Sequence, residues 1–209
     1  MFIEKSVKEF LDELAAKKST PGGGGAAALV GALAVALTSM VGNFSIDKKG
    51  YEQNWQELGA MLFQAEELRS KLAELVELDA QVFGQLMAAY KMSKNTEEEI
   101  FLRNKTLEGK IKNAASVPLQ IAHHALAVQR LALIALQKGN RELSSDAILS
   151  GILGYAALRS ASYNVLINLN ISKDQTYIEK SKEELKALLL EGGKLEKEIV
   201  ALGDKDFAI

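Results

Sequence analysis

Between Lys18 and Asp47 the chain carries no charged residue, and this stretch opens on Pro21-Gly22-Gly23-Gly24-Gly25 followed by Ala26-Ala27-Ala28-Leu29-Val30. Glycine loses the most backbone entropy on ordering, so four in a row make a poor helix or strand interior. The alanines after them are strong helix formers. The pattern predicts a bare loop over residues 21–25 that feeds an apolar helix from about Gly24 to Phe44. Its backbone N–H groups are open to a ligand, at a helix end that favours negative charge. A helix without a charged face has to be covered on all sides, so the rest of the chain is expected to surround it. The stretch is long enough to cross a bilayer. However, Gly31, Thr38, Ser39, Gly42, Asn43 and Ser45 dilute its apolar character, and Lys17-Lys18 and Lys48-Lys49 flank it on both sides. A core helix rather than a membrane span is the expectation.

The remaining sequence supplies helices to do the covering. Of 209 residues only Pro21 and Pro118 are prolines, and aromatics amount to 6%, while Ala and Leu abound. Few breakers and many helix formers predict an all-α, single-domain helical bundle over residues 1–209. A short first helix is expected over about Val7 to Lys17, and a long third helix over about Tyr51 to Lys91. That helix carries Leu68, Leu72, Leu75, Val76, Val82, Phe83 and Leu86 at three-and-four spacing. Asn95-Thr96 with Glu97, Glu98 and Glu99 marks the start of a fourth helix. Ser116-Val117-Pro118 is expected to break or kink it, with a further helix running to Gln137 and stopping at Gly139-Asn140. Ser144 or Ser145 opens the next helix, to about Leu169, and a last amphipathic one covers Lys173 to Leu202, interrupted at Gly192-Gly193.

Several function classes are excluded or weakened by composition. The net charge is −2, with no basic stripe for nucleic acid. Cysteine is absent, which removes disulfides, thiolate catalysis and cysteine-ligated metals. His123-His124 cannot face one direction, and no HxxxH spacing supports zinc, so no metal site is expected. No secretory pattern opens the chain, and the cytoplasm is the expected compartment. The glycine run is neither a phosphate loop, lacking a following Lys-Ser/Thr, nor a dinucleotide fingerprint, lacking a preceding strand.

Three groups of polar residues stand in apolar places. Asp79 lies three residues after Val76 and four before Phe83, on the apolar stripe of the long helix. Desolvation there raises a carboxyl pKa and suits general acid/base work. The competing reading is a structural carboxylate bonded to a helix N-terminus or a lysine. Asn164 and Asn168, one turn apart, offer either a row of donors and acceptors for a heteroaromatic ligand or interhelical hydrogen bonds. Ser145-Asp146 reads most simply as the opening of its helix.

Together these residues resemble the cyclodeaminase/cyclohydrolase family of folate enzymes. The resemblance rests on Thr20-Pro21-Gly22-Gly23-Gly24-Gly25-Ala26-Ala27-Ala28, on Ser39-Met40-Val41-Gly42, and on Asp79-Ala80 with Phe83. It continues through Ala88-Ala89-Tyr90-Lys91, Lys94-Asn95-Thr96, Ser116-Val117-Pro118-Leu119, Ser145-Asp146 and Asn164-Val165-Leu166-Ile167-Asn168-Leu169. The order and spacing span nearly the whole chain. Two departures are Met92-Ser93-Lys94, where the family often has Leu-Pro-Lys, and Ser162, where a Tyr is common and for which Tyr163 is a candidate substitute.

The resemblance implies an all-helical fold, a homodimer and a folate site near the subunit interface. It also implies Asp79 as catalytic acid/base, with Pro21 to Gly25, Ser145, Asp146, Asn164 and Asn168 holding the substrate. No cofactor beyond the tetrahydrofolate substrate is implied. The leading activity is formiminotetrahydrofolate cyclodeaminase, which would serve histidine degradation. The alternative is methenyltetrahydrofolate cyclohydrolase in one-carbon metabolism, and the alternative of another class is a non-catalytic helical oligomerisation module.

Overall fold

The structure, a computed structural model, describes residues 1–207. Six α-helices make up the fold: α1 Val7–Ala15, α2 Gly23–Asn43, α3 Trp55–Tyr90, α4 Glu97–Lys138, α5 Ser144–Leu169 and α6 Gln175–Phe207. Short 3₁₀ turns lie at Phe2–Glu4, Glu52–Asn54 and Arg141–Leu143, and the described residues contain no strand. Ser6 with Glu9 and Thr96 with Glu99 form reciprocal capping boxes at α1 and α4. Each box satisfies two otherwise orphaned N–H groups.

The charge-free helix α2 is the centre of the bundle, packed against α3, α4 and α5, and α6 lies across α4 and α5. Its buried residues are almost all small: Gly31, Ala34, Val35, Thr38 and Gly42 among them. Small side chains let helix axes approach closely. A Cβ at Gly42 would stand 2.8 Å from Leu62 and Met61 side-chain atoms. The buried hydroxyls are satisfied, with Thr38 Oγ1 2.7 Å from Ser150 Oγ, which donates to Ala34 O at 2.6 Å. One core then runs through Val35, Leu58, Leu72, Val76, Ile121, Leu158 and Leu169. A smaller cluster of Leu86, Ala89, Leu107, Ile111 and Ala114 joins the end of α3 to the start of α4. By length and composition α2 and α4 could each cross a bilayer. In this fold most apolar residues of α2 face three neighbouring helices, but the helix is not covered on all sides, since Leu33 is 55% exposed.

Four sequence expectations are corrected. The glycine run is not a loop throughout: α2 begins at Gly23, so three of the four glycines form its first turn, with Gly22 as N-cap. Pro21, after a cis peptide, is buried and packs beside Gly25. Tyr51 precedes a 3₁₀ turn, and α3 starts at Trp55. Gly192-Gly193 does not interrupt α6. A side chain at Gly192 would overlap Leu158 and meet Gln129 Oε1 at 2.8 Å, while Gln129 Nε2 donates to Gly192 O at 3.1 Å. Close packing, not a break in the helix, explains the glycine.

Pro118 does not end its helix either, since α4 runs through it. A proline inside a helix leaves the carbonyl four residues earlier without its donor. That carbonyl is Ala114 O, and Asn168 Nδ2 on α5 donates to it at 3.0 Å. The same nitrogen also reaches Asn164 O at 2.8 Å. Asn168 thus replaces the missing N–H from a neighbouring helix and ties α4 to α5. Asn168→Ala is expected to cost about 1–3 kcal/mol, the penalty of a stranded carbonyl. In a Pro118→Ala background, where the helix supplies its own donor, chemical denaturation should show less than half that loss.

Candidate active site

Asp79 sits on the second half of α3, flanked on its stripe by buried Leu72, Val76, Val82 and Leu86. Its carboxylate reaches the first turn of α2 and accepts the Gly25 N–H on Oδ2 at 2.9 Å. Gly25 is the third residue of α2, and no α2 side chain caps this end. Asp79 therefore caps α2 from another helix. A Cβ at Gly24 would overlap Asp79 Oδ1, so only glycine allows this approach. Burial pushes the Asp79 carboxyl above its ordinary range, and the Gly25 N–H opposes that more weakly. Both sequence readings of Asp79 thus meet in one residue: it holds a helix N-terminus, and it is a poised carboxyl group.

The carboxyl opens into a cleft of about 320 Å³, within the range of small-ligand pockets, about 300–1,000 Å³. One wall is Ser19, Thr20 and Gly22 to Gly24; a second is Asp79, Phe83, Met87 and Tyr90 of α3; a third is Asn164, Ile167 and Asn168 of α5. Asn164 Nδ2 is held by Ser160 O at 2.9 Å, and Asn168 Nδ2 by Ala114 O and Asn164 O. Neither side-chain oxygen accepts a hydrogen bond among the described residues, so both amides leave acceptors for a ligand. Asn164 Oδ1 stands 3.3 Å from where a Cβ at Gly23 would lie, so that turn and that amide form adjoining walls. The lining contains no Lys or Arg, and Asp79 is its one carboxylic acid.

Of the residues expected at the site, the fold brings together Gly22, Gly23, Gly24, Asp79, Asn164 and Asn168. Pro21 and Gly25 support the turn from behind. Ser145 and Asp146 lie elsewhere. They occupy the first turn of α5 without a side-chain capping bond, and Ser145 faces a separate groove with Ile148, Leu149 and Phe207. At 1.5 Å per residue, Ser145 is roughly 28 Å from Asn164 along the same helix axis, so within one protomer the pair cannot reach the cleft. Tyr163 does not line it either: its hydroxyl bonds Arg159 at 3.3 Å on the exposed side of α5. Ser162 is turned inward, donating to Arg159 O at 2.7 Å. Ser93 donates to Glu99 at 2.5 Å and joins the α4 cap. His123 meets Glu184 of α6 at 2.6 Å, and neither histidine lines the cleft. Phe83 and Tyr90 were legible as residues of the family resemblance, with no role assigned, whereas Met87 and Ser19 carried no signal.

This all-helical fold, with a lone carboxyl held against a glycine turn, matches known proteins across the chain. Residues 6–206 match the family model described as formiminotransferase-cyclodeaminase. A methenyltetrahydrofolate cyclohydrolase of Methylorubrum extorquens is 40% identical over 93% of this chain and 94% of its own length. A formimidoyltransferase-cyclodeaminase of Rattus norvegicus is 32% identical over 90% of this chain, which spans 35% of the rat protein. The crystal structure of a formiminotetrahydrofolate cyclodeaminase from Thermotoga maritima superposes with a TM-score of 0.86 at 34% identity, covering 95% of this chain and 96% of that one. The chain belongs to the formiminotransferase-cyclodeaminase family.

Because the folded state raises the Asp79 pKa, the native protein binds more protons than the unfolded chain between the two values. Asp79 therefore lowers stability as pH rises through that window, starting at the unfolded value near 3.8, and the loss persists above it. Asp79→Asn keeps an acceptor for the Gly25 N–H and removes the buried charge. It is expected to be at least as stable as the parent at pH 7 in urea unfolding. Gly24→Ala should instead lower stability, since a methyl there displaces the capping carboxylate.

Proposed function

We propose that this protein acts on the carbon between N5 and N10 of tetrahydrofolate, as a formiminotetrahydrofolate cyclodeaminase. The observation that carries this is the single partly buried carboxyl group in a cleft without a cation. A formimino group held as its amidinium, and the methenyl product, both place positive charge at that carbon, which suits one carboxylate in a low-dielectric wall.

The chemistry follows from one proton carrier. N10 attacks the formimino carbon, forming the N10–C bond and a tetrahedral adduct. Asp79 takes the proton from N10 and delivers it to the amino nitrogen. The C–N bond to that nitrogen breaks, ammonia leaves, and the positive charge stays on the 5,10-methenyl bridge. Asp79 ends as it began, and a raised pKa favours a group that both takes and returns the proton. The Asn164 and Asn168 oxygens accept from the N–H edge of the pterin. The chemistry asks for no metal and no cofactor beyond the folate itself.

A second reading rests on the 40% identical relative named as a cyclohydrolase. Water then attacks the methenyl carbon and Asp79 accepts one proton and passes it to solvent; the C–N5 bond breaks, the hydroxyl proton moves to N5, and 10-formyltetrahydrofolate results. The cytoplasm, and histidine degradation or one-carbon supply, follow from whichever reaction operates. We further place the cleft near a homodimer interface. In support, Ile167 and Ile171 line it yet are 66% and 44% exposed, beside Tyr163 at 62%. Apolar exposure of this kind marks contact surfaces, and a second protomer is also the one route by which Ser145 and Asp146 reach such a cleft.

Purified protein should form methenyl absorbance and ammonia from 5-formiminotetrahydrofolate, or consume methenyl absorbance in the cyclohydrolase case. Asp79→Asn should lower the operating rate about 10²–10⁴-fold. Wild-type turnover should rise with pH through a value above the ordinary aspartate range. An Asp79→Asn protein that works at the parental rate contradicts the assignment.

A further inference from the structure

Tyr90 and Ile171 bound the cleft on one side. Those two residues also line a second groove of about 190 Å³, formed with Arg103, Leu107 and Glu108 of α4 and with Lys173 beyond α5. The two hollows are thus adjacent, and their charge differs. The first has one acid and no cation, whereas the second holds two cations and one acid, Glu108.

Arg103 is the informative member. Its Nη2 donates to Tyr90 O at 3.3 Å, at the C-terminal end of α3. Its Nε is shut off from solvent and has no hydrogen-bond partner among the described residues. A buried guanidinium N–H without an acceptor is costly and rare in folded proteins. No carboxylate forms an ion pair with Arg103 or Lys173 among the described residues. Glu108, the acid in this groove, is already occupied: it accepts Ser172 Oγ at 2.5 Å and the Lys173 N–H at 3.0 Å. Nε is closed to any ligand, but Arg103 and Lys173 both line the groove without an ion-pair partner, and the planar donors of a guanidinium suit a carboxylate.

We propose that Arg103 and Lys173 form a carboxylate subsite that receives the anionic tail of the ligand whose heterocycle lies against Asp79. This rests on the folate reading of the cleft and fixes the ligand's direction within it. The pterin meets the glycine turn and the two asparagines, the aminobenzoyl ring passes Tyr90 and Ile171, and the glutamate carboxylates reach Arg103 and Lys173. The glycine turn is then a wall for the heterocycle and not an anion cradle. The negative charge that its helix end favours is supplied by Asp79.

The test compares two stable ligands by equilibrium binding to the full chain: 5-formyltetrahydrofolate, and the corresponding 5-formyltetrahydropteroate, which lacks the glutamate. Arg103→Met and Lys173→Met are used separately, with circular dichroism confirming the fold. Arg103→Met should weaken the glutamate-bearing ligand about 10- to 100-fold, the range of a charge-assisted hydrogen bond. It should change the truncated ligand less than threefold, with Lys173→Met acting in the same direction but less. Equal losses for both ligands, or no loss for either, overturn the subsite while leaving the folate reading intact. If the parent protein binds neither ligand, the folate reading falls and the subsite with it. If Arg103→Met unfolds, the Lys173→Met comparison and the parent's own preference between the two ligands decide the matter.

Discussion

The bond from the Gly25 N–H to Asp79 Oδ2, at 2.9 Å, is the contact on which the rest of this structure depends. It joins the first turn of the central helix to the apolar stripe in the second half of α3, and it lies in the wall of the cleft. Its existence needs Gly24 to lack a side chain, because any Cβ there would occupy the space of the carboxylate. It also needs the apolar neighbours of Asp79, whose packing withdraws the carboxyl from water and raises its pKa. Structural capping and catalytic poise are therefore not alternatives here. A carboxylate that holds a helix N-terminus is fixed in position and partly desolvated at once, which is what an acid/base group in a cleft requires.

A second dependency runs through Pro118. The proline strands the Ala114 carbonyl, and Asn168 answers it from α5. Because the amide nitrogen is committed to the backbone, its oxygen is left as an acceptor beside the cleft. The same logic applies to Asn164, whose nitrogen is tied to Ser160 O. A helix defect and its repair thereby orient one wall of the site, and α4 stays continuous past the proline to Lys138.

Much of this was legible in the sequence. The charge-free run marked the central helix, though Leu33 leaves one side of it open, and the three-and-four spacing around Asp79 singled out the carboxyl group. What was missed has physical causes. Three glycines enter a helix because Asp79 caps its first turn from α3, a tertiary effect that local propensity cannot carry. Pro118 and Gly192 looked like breaks because their compensation lies on other helices, at Asn168 and Leu158. Ser145 and Asp146 share the family pattern with Asp79 yet sit at the far end of α5, since adjacency in motif order says nothing about distance along a helix. Arg103 drew no attention because one basic residue on a helix has no periodic signature; its place in the groove beside Tyr90 is set by tertiary packing.

The central claim is that Asp79 is a carboxyl group of raised pKa that faces the one-carbon centre. The most direct measurement is a ¹³C NMR titration of the Asp79 carboxyl carbon, assigned by comparison with Asp79→Asn, in the free protein and with 5,10-methenyltetrahydrofolate bound. The free protein should titrate above the ordinary aspartate value of 3.8. The cationic ligand should pull that midpoint down, because a positive charge beside the carboxyl favours its ionised form. A free midpoint at or below 3.8, or a midpoint that the bound ligand leaves unmoved, would contradict this account.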